Sequence, residues 1–146
     1  MKFLILNGPN LKLLGKREPD IYGRGTYAEL CREIAEYAEK RGNQARFVQS
    51  NHEGVLIDVI QQAGEDGTQG IVINPGAYAH YSYAIHDALR SIAVPAVEVH
   101  ISDISARESW RHVSVTSAAC VKTIAGEGFP GYLRAIDALE AMERTV

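Results

Sequence analysis

The sequence predicts an α/β fold built on a parallel β-sheet with helices on both faces, and three observations carry that expectation. Short apolar runs rich in Val, Ile and Phe recur along the chain, each too short to be a helix by itself. Stretches with a helical period separate them, so strand and helix alternate, the pattern that gives right-handed crossovers and parallel pairing. The third observation is size: 146 residues form one core with room for five such strands.

The first run is Phe3–Leu6. It is followed by a stretch of about twenty residues, LNGPNLKLLGKREPDIYGRG, far longer than the roughly 2–6 residues that usually join a strand to its helix, and loops of that length are commonly lids or binding loops. Residues 12–25 are read as such a lid. From Thr26 the chain turns helical: Tyr27, Leu30, Cys31, Ile34 and Ala38 share one face, the glutamates fall elsewhere on the turn, and Gly42 ends the run. Ala45–Val48 is the second strand. The SNHE that follows has the spacing of a capping box, Ser50 with Glu53, opening a helix through Leu56, Val59, Ile60 and Ala63. Gly70–Ile73 is the third strand. A helix from about His80 to Ile92 turns Ala84, Ile85, Ala88 and Leu89 inward, and Ala96–Val99 is the fourth strand. SDISARESWRH is polar enough to be more loop than core element, Ala119–Ile124 is the fifth strand, and a last helix spans about Gly131 to Arg144. A single domain, 1–146, of this size and alternation suits a flavodoxin-like sheet of order 2-1-3-4-5.

Composition excludes several partners. A net charge of −3 with 23% charged residues gives no general attraction for nucleic acid or an anionic membrane, so an anionic ligand has to be met locally. The four-residue apolar run in MKFLILNGPN falls far short of a signal h-region or membrane span, and a cytoplasmic protein is expected. Cys31 and Cys120 lack metal-ligand spacing and read as buried free thiols.

In doubly wound sheets ligands bind beyond the carboxyl ends of the strands, where the strand order reverses. Polar clusters follow strands one, three and four: Asn10, Arg17 and Tyr22; Asn74 and His80; Glu98, His100 and Ser102, then Arg107 and Arg111. The period of two in VEVHIS puts Glu98 and His100 on one side of their strand, where a carboxylate fixes the tautomer of an imidazole and equips it as a general acid. The plainer alternative is a structural ion pair. Asn74 offers a neutral donor and acceptor at a strand end, or is an ordinary turn asparagine. Backbone amides near Ile101 and Ser102 could form an anion-binding nest. Arg107 and Arg111, four apart, could share one helical face or be solvated surface cations. A phenol ionises near pH 10 when free, so a tyrosine base needs a cation beside it, and Arg17 lies five residues from Tyr22. Tyr22 could equally be an amphipathic anchor for the loop.

Taken together, LNGPNL-LLG-REP-IYG, QSNHEG-LID, INPGAYAH, VEVH-S and ARE--RH resemble the type II 3-dehydroquinate dehydratases over nearly the whole chain, about Phe3 to Leu139. The resemblance implies the reversible dehydration of 3-dehydroquinate to 3-dehydroshikimate, with no cofactor or metal, in a homododecamer built as four trimers. It implies Tyr22 as the base, Arg17 as its activator, His100 as the general acid and Asn10 as a holder of the enolate and the catalytic water. Asn74, His80 and Arg111, with the main chain at Ile101 and Ser102, correspond to substrate contacts, Asp87 to a residue offered by a neighbouring subunit, and Glu98 and Arg107 to supporting site residues. Lys12, Ser105 and Val113 depart from the family pattern at positions without a chemical role. The reading from another class, a flavodoxin-like binding or signalling module, lacks a receiver's aspartate, since Asn74 stands there, and lacks a Ser/Thr/Gly-rich phosphate loop after the first strand. Aromatic biosynthesis and quinate breakdown remain equally compatible with the residues.

Overall fold

The computed structural model describes residues 1–145. The five strands are β1 (Lys2–Asn7), β2 (Gln44–Gln49), β3 (Gly70–Asn74), β4 (Ala96–His100) and β5 (Lys122–Ala125). They form one sheet in the order β2-β1-β3-β4-β5, every pair parallel, as the alternation predicts. Strand residues alternate between two apolar layers. Phe3, Ile5, Val72, Val97 and Val99 pack with helices α2 (Tyr27–Lys40) and α5 (Pro130–Arg144). On the other face, Leu4, Leu6, Ile71, Ile73 and Ala96 pack with α3 (Glu53–Ala63) and α4 (Tyr83–Arg90). Leu30 and Ile34 of α2 are fully buried, each worth about 1.5–3 kcal/mol relative to an exposed side chain. Among the described residues no helix is long and apolar enough to cross a membrane.

Several local expectations change. The capping box forms not at Ser50 and Glu53 but at Thr26 and Glu29, where the Thr26 hydroxyl accepts the Glu29 amide at 3.1 Å and the Glu29 carboxylate accepts the Thr26 amide at 3.2 Å. Ser50 Oγ instead accepts the His52 amide, and the Glu53 carboxylate is taken by the Ser82 hydroxyl at 2.5 Å. Ser82 also caps α4, which therefore starts at Tyr83 rather than near His80 and ends at Arg90; residues Gly76–His80 form a separate 3₁₀ turn, and Ala84 faces outward. β5 is shorter than expected because Ser117–Ala119 winds into a 3₁₀ turn. The polar segment after β4 forms two 3₁₀ turns, Ile104–Ala106 and Ser109–Arg111. The long loop after β1 is ordered into a 3₁₀ turn, Leu11–Leu13, and a four-residue helix α1 (Pro19–Tyr22).

Candidate active site

Because β1 and β3 are neighbours in the sheet while the chain leaves β1 toward β2, the loops after β1 and β3 diverge and open a cleft at their carboxyl ends. Two glycines let its floor close tightly. The Gly8 amide donates to the Asn74 carbonyl at 2.8 Å, and a Cβ on Gly8 would lie 2.4 Å from the Pro75 carbonyl oxygen, inside contact distance. Gly76 has φ of +60° and packs against Pro9, a conformation that favours glycine. The cleft above them encloses about 560 Å³, counted out to its open mouth.

One wall is built from strand ends. Glu98 and His100 share one side of β4, as the period of two requires, and the Glu98 carboxylate accepts the His100 Nε2–H at 2.9 Å. Nδ1 of that ring is left for the cleft. The Ser114 hydroxyl donates to the same carboxylate at 2.6 Å and the Thr116 hydroxyl donates to its other oxygen. Burial by itself pushes the Glu98 carboxyl up, but His100, Ser114 and Thr116 outweigh it and hold it below the usual carboxylate range. The charge on this fully buried group is thus matched by donors. His80 stacks beside His100, ring centroids 6.3 Å apart, with Trp110 edge-on at 5.4 Å. Its burial, reinforced by the positive charge of Arg111, holds the imidazole below its usual range, and its Nδ1–H donates to the Val113 carbonyl at 2.8 Å. His80 is therefore a neutral ring with Nε2 as acceptor. Asn74, at the end of β3, accepts the Gly76 amide at 3.1 Å and donates to the buried Tyr132 hydroxyl at 3.0 Å. Ile101 and Ser102 continue β4 into the cleft wall.

The facing wall comes from the loop after β1. Its two left-handed non-glycine residues are Asn10, φ 69°, and Glu18, φ 37°, which begin its 3₁₀ turn and its short helix. Tyr22 ends that helix and turns its ring into the cleft. Arg107 donates to the Tyr22 oxygen at 2.6 Å, while the Arg17 guanidinium lies over the ring, 4.7 Å from its centre, and reaches Glu18 at 3.6 Å. The arginine on the phenolic oxygen is thus the one 85 positions away in sequence, not the loop neighbour that spacing suggests. Arg111 pairs with Glu108 at 2.6 Å and packs over Trp110.

Ten of the expected site residues line this one cleft: Asn10, Arg17, Tyr22, Asn74, His80, His100, Ile101, Ser102, Arg107 and Arg111. Glu98 stands directly behind His100. Asp87 does not join them; it is on α4 with its side chain 82% exposed, 3.2 Å from His86. Sequence reasoning missed Ser114 and Thr116, although SVTS downstream of the arginines is the signal that could have suggested hydroxyl partners for a buried carboxylate. It also missed Tyr132, which no local pattern marks. Among the described residues lining the cleft none is acidic, while three arginines and two histidines face it. Such a lining suits an anionic ligand bearing hydroxyl groups, with a base and an acid on opposite walls.

Comparison with known proteins agrees with this chemistry. The family model described as dehydroquinase class II matches residues 1–140. The 3-dehydroquinate dehydratase of Bacillus cereus strain G9842 is 54% identical over 138 residues, 94% of each chain. That of Clostridium acetobutylicum is 52% identical over 142 residues, 97% of this chain and 98% of its own. The crystal structure of type II dehydroquinase from Butyrivibrio crossotus superposes with a TM-score of 0.95 at 52% identity, covering 96% of this chain and 97% of that one. With fold, cleft and nearly the full length in agreement, the chain belongs to the class II dehydroquinase family.

Proposed function

We propose that the cleft dehydrates 3-dehydroquinate to 3-dehydroshikimate through an enolate, with Tyr22 as base and His100 as acid. The enzyme class follows from the family: the chain is a hydro-lyase, a 3-dehydroquinate dehydratase of type II. In the proposed sequence the C3 ketone acidifies the C2 protons, and Tyr22, as phenolate, takes one of them. The electron pair moves onto the ketone oxygen. The enolate then collapses, the C1–O bond breaks, and His100 delivers a proton to the departing hydroxyl so that it leaves as water. Asn10, exposed at the mouth of the cleft, holds the enolate through a water molecule. The observation that carries this reading is the pair of opposed walls: a carboxylate-backed imidazole on one and a phenol held by Arg107 and covered by Arg17 on the other. The Arg107 guanidinium sits where negative charge on the phenolic oxygen requires it, and Arg17 waits over the ring face.

Substrate recognition divides in the same way. Asn74, His80 and Arg111, with the backbone at Ile101 and Ser102, take the hydroxyl and carboxylate groups of the substrate. Residues 12–25 act as a lid that brings Arg17 from the ring face to the phenolic oxygen as substrate arrives; the strained Asn10 and Glu18 are its natural pivots. Asp87, exposed on α4, serves the site of a neighbouring subunit in a dodecamer of four trimers. The enzyme works in the cytoplasm, in the shikimate pathway or in quinate breakdown.

The test is direct. Protein mixed with 3-dehydroquinate alone should generate the ultraviolet absorbance of the new C1=C2 bond conjugated to the C3 ketone, and Tyr22→Phe should not. A folded wild-type protein that leaves 3-dehydroquinate unchanged would overturn the reaction.

A further inference from the structure

Behind the cleft a buried pair that the mechanism above does not use, Asn7 and Tyr132, forms a polar chain with Asn74. Asn7 ends β1 and is the register partner of Asn74 at the end of β3, and Tyr132 of α5 inserts its hydroxyl between their side chains. Asn7 and Tyr132 are 0% exposed and Asn74 is 4% exposed. Their hydrogen-bond directions are forced, one after another, by a single backbone group. The Gly76 N–H has no choice but to donate, and its acceptor at 3.1 Å is Asn74 Oδ1. Asn74 Nδ2 therefore faces Tyr132 and donates to the phenolic oxygen at 3.0 Å. With that oxygen accepting, the hydroxyl proton goes to Asn7 Oδ1, 2.7 Å away. The Asn7 amide is thereby turned with its Nδ2 away from Tyr132, on the side of the half-buried Tyr27 hydroxyl, short of a well-formed hydrogen bond among the described residues.

A buried polar chain of this kind is costly to desolvate, and an apolar trio at the same three positions would avoid the cost. The compensation is at the other end of the chain. Asn74 lines the cleft, and with one Nδ2 hydrogen on Tyr132 and one Oδ1 lone pair on Gly76, its remaining hydrogen and lone pair have one fixed presentation. An amide held from two sides can offer donor and acceptor to a ligand without first paying for orientation.

We infer that Tyr132 is a positioning residue for substrate binding: its hydroxyl, itself oriented by Asn7, locks the Asn74 amide for contact with the substrate. This rests on the reaction proposed above for the substrate. Tyr132→Phe removes only the oxygen and should raise KM for 3-dehydroquinate about tenfold while kcat changes by less than about threefold. In the Asn74→Ala background the same Tyr132→Phe change should move KM by less than about twofold, because the group it acts through is gone. A second readout needs no turnover. The Asn74 side-chain amide protons, assigned by their loss in Asn74→Ala, should exchange with solvent at least about tenfold faster in Tyr132→Phe than in the wild type. If Tyr132→Phe fails to fold, Asn7→Leu, which removes the acceptor of the hydroxyl proton, should reproduce both the KM rise and the faster exchange. Equal KM effects in the two backgrounds, or unchanged Asn74 amide exchange in a folded variant, would overturn the inference. A wild-type protein that does not turn over 3-dehydroquinate would sink the reaction instead, and the exchange rates would still decide the role of Tyr132.

Discussion

The two walls of the cleft are built on opposite principles. On the strand side the key polar groups are held by partners: Glu98 accepts from His100, Ser114 and Thr116, and Asn74 is tied to Gly76 and Tyr132. On the loop side, Asn10 and Glu18 are exposed and left-handed, and Arg17 divides itself between a ring face and a surface carboxylate. The difference teaches where precision is stored. In the proposed mechanism the acid is assembled before substrate arrives, because a buried carboxylate in a sheet interior survives only when partnered. The proposed base stands on the loop half, where rearrangement would let substrate enter and let binding complete the site.

Breaking the loop side at its chemical centre should have the largest effect. Tyr22→Phe is expected to lower kcat at least about a hundredfold, within the range a positioned base contributes, with little change in melting temperature because the hydroxyl adds nothing to the core. Retention of more than about a tenth of wild-type turnover, a loss under roughly 1.4 kcal/mol, would remove Tyr22 from the base position.

The arginines sharpen the comparison. Arg107 already touches the phenolic oxygen, while Arg17 reaches it only if the loop moves. Both Arg107→Ala and Arg17→Ala should lose more than about tenfold in kcat, measured at saturating substrate. A loss confined to Arg107→Ala would mean that the loop acts as it stands and that no closure brings Arg17 in.

On the strand side the prediction concerns pH. The Glu98 carboxyl is held below the usual range in the folded protein, so its contribution to stability is complete above the unfolded carboxylate value of about 4.3 and is lost as pH falls through its lowered folded value. Denaturant titrations of wild type should steepen in that acid window, and Glu98→Gln should flatten the slope there. Identical acid slopes in the two proteins would mean that the couple is not held as a carboxylate.

The smallest effect tests the loop backbone. Glu18→Gly relieves a left-handed residue and should change stability by no more than about 1 kcal/mol, while raising KM through a looser loop. An unchanged KM would take Glu18 out of the set of pivots.

Much of this was legible in the chain before any coordinates. Short β-rich runs separated by helical periods are sufficient for a parallel sheet, and the alternation in VEVHIS places Glu98 and His100 together because successive strand residues face opposite ways. The ends of elements were harder to read, since they depend on competition in three dimensions. Ser50 and Glu53 have capping-box spacing, yet Ser82 is a nearer partner for the glutamate and the box never closes. Long-range pairing was invisible for the same reason. Arg17 is adjacent to Tyr22 in sequence, but a guanidinium 85 positions away occupies the phenolic oxygen. Tyr132 shows only as one more apolar position on a helix, and nothing local reveals that its hydroxyl ends at the tips of β1 and β3.

The division of labour between the walls is tested most directly by following the C2 protons of 3-dehydroquinate in deuterated water. In the proposed mechanism removal of a C2 proton rests on Tyr22 with its arginines, and loss of the C1 hydroxyl rests on His100. His100→Ala should therefore place deuterium at C2 of recovered substrate faster than it forms 3-dehydroshikimate, while Tyr22→Phe should do neither above the uncatalysed rate. Deuterium exchange by Tyr22→Phe at the rate of the His100→Ala enzyme would contradict the account, because the base would then lie elsewhere in the cleft.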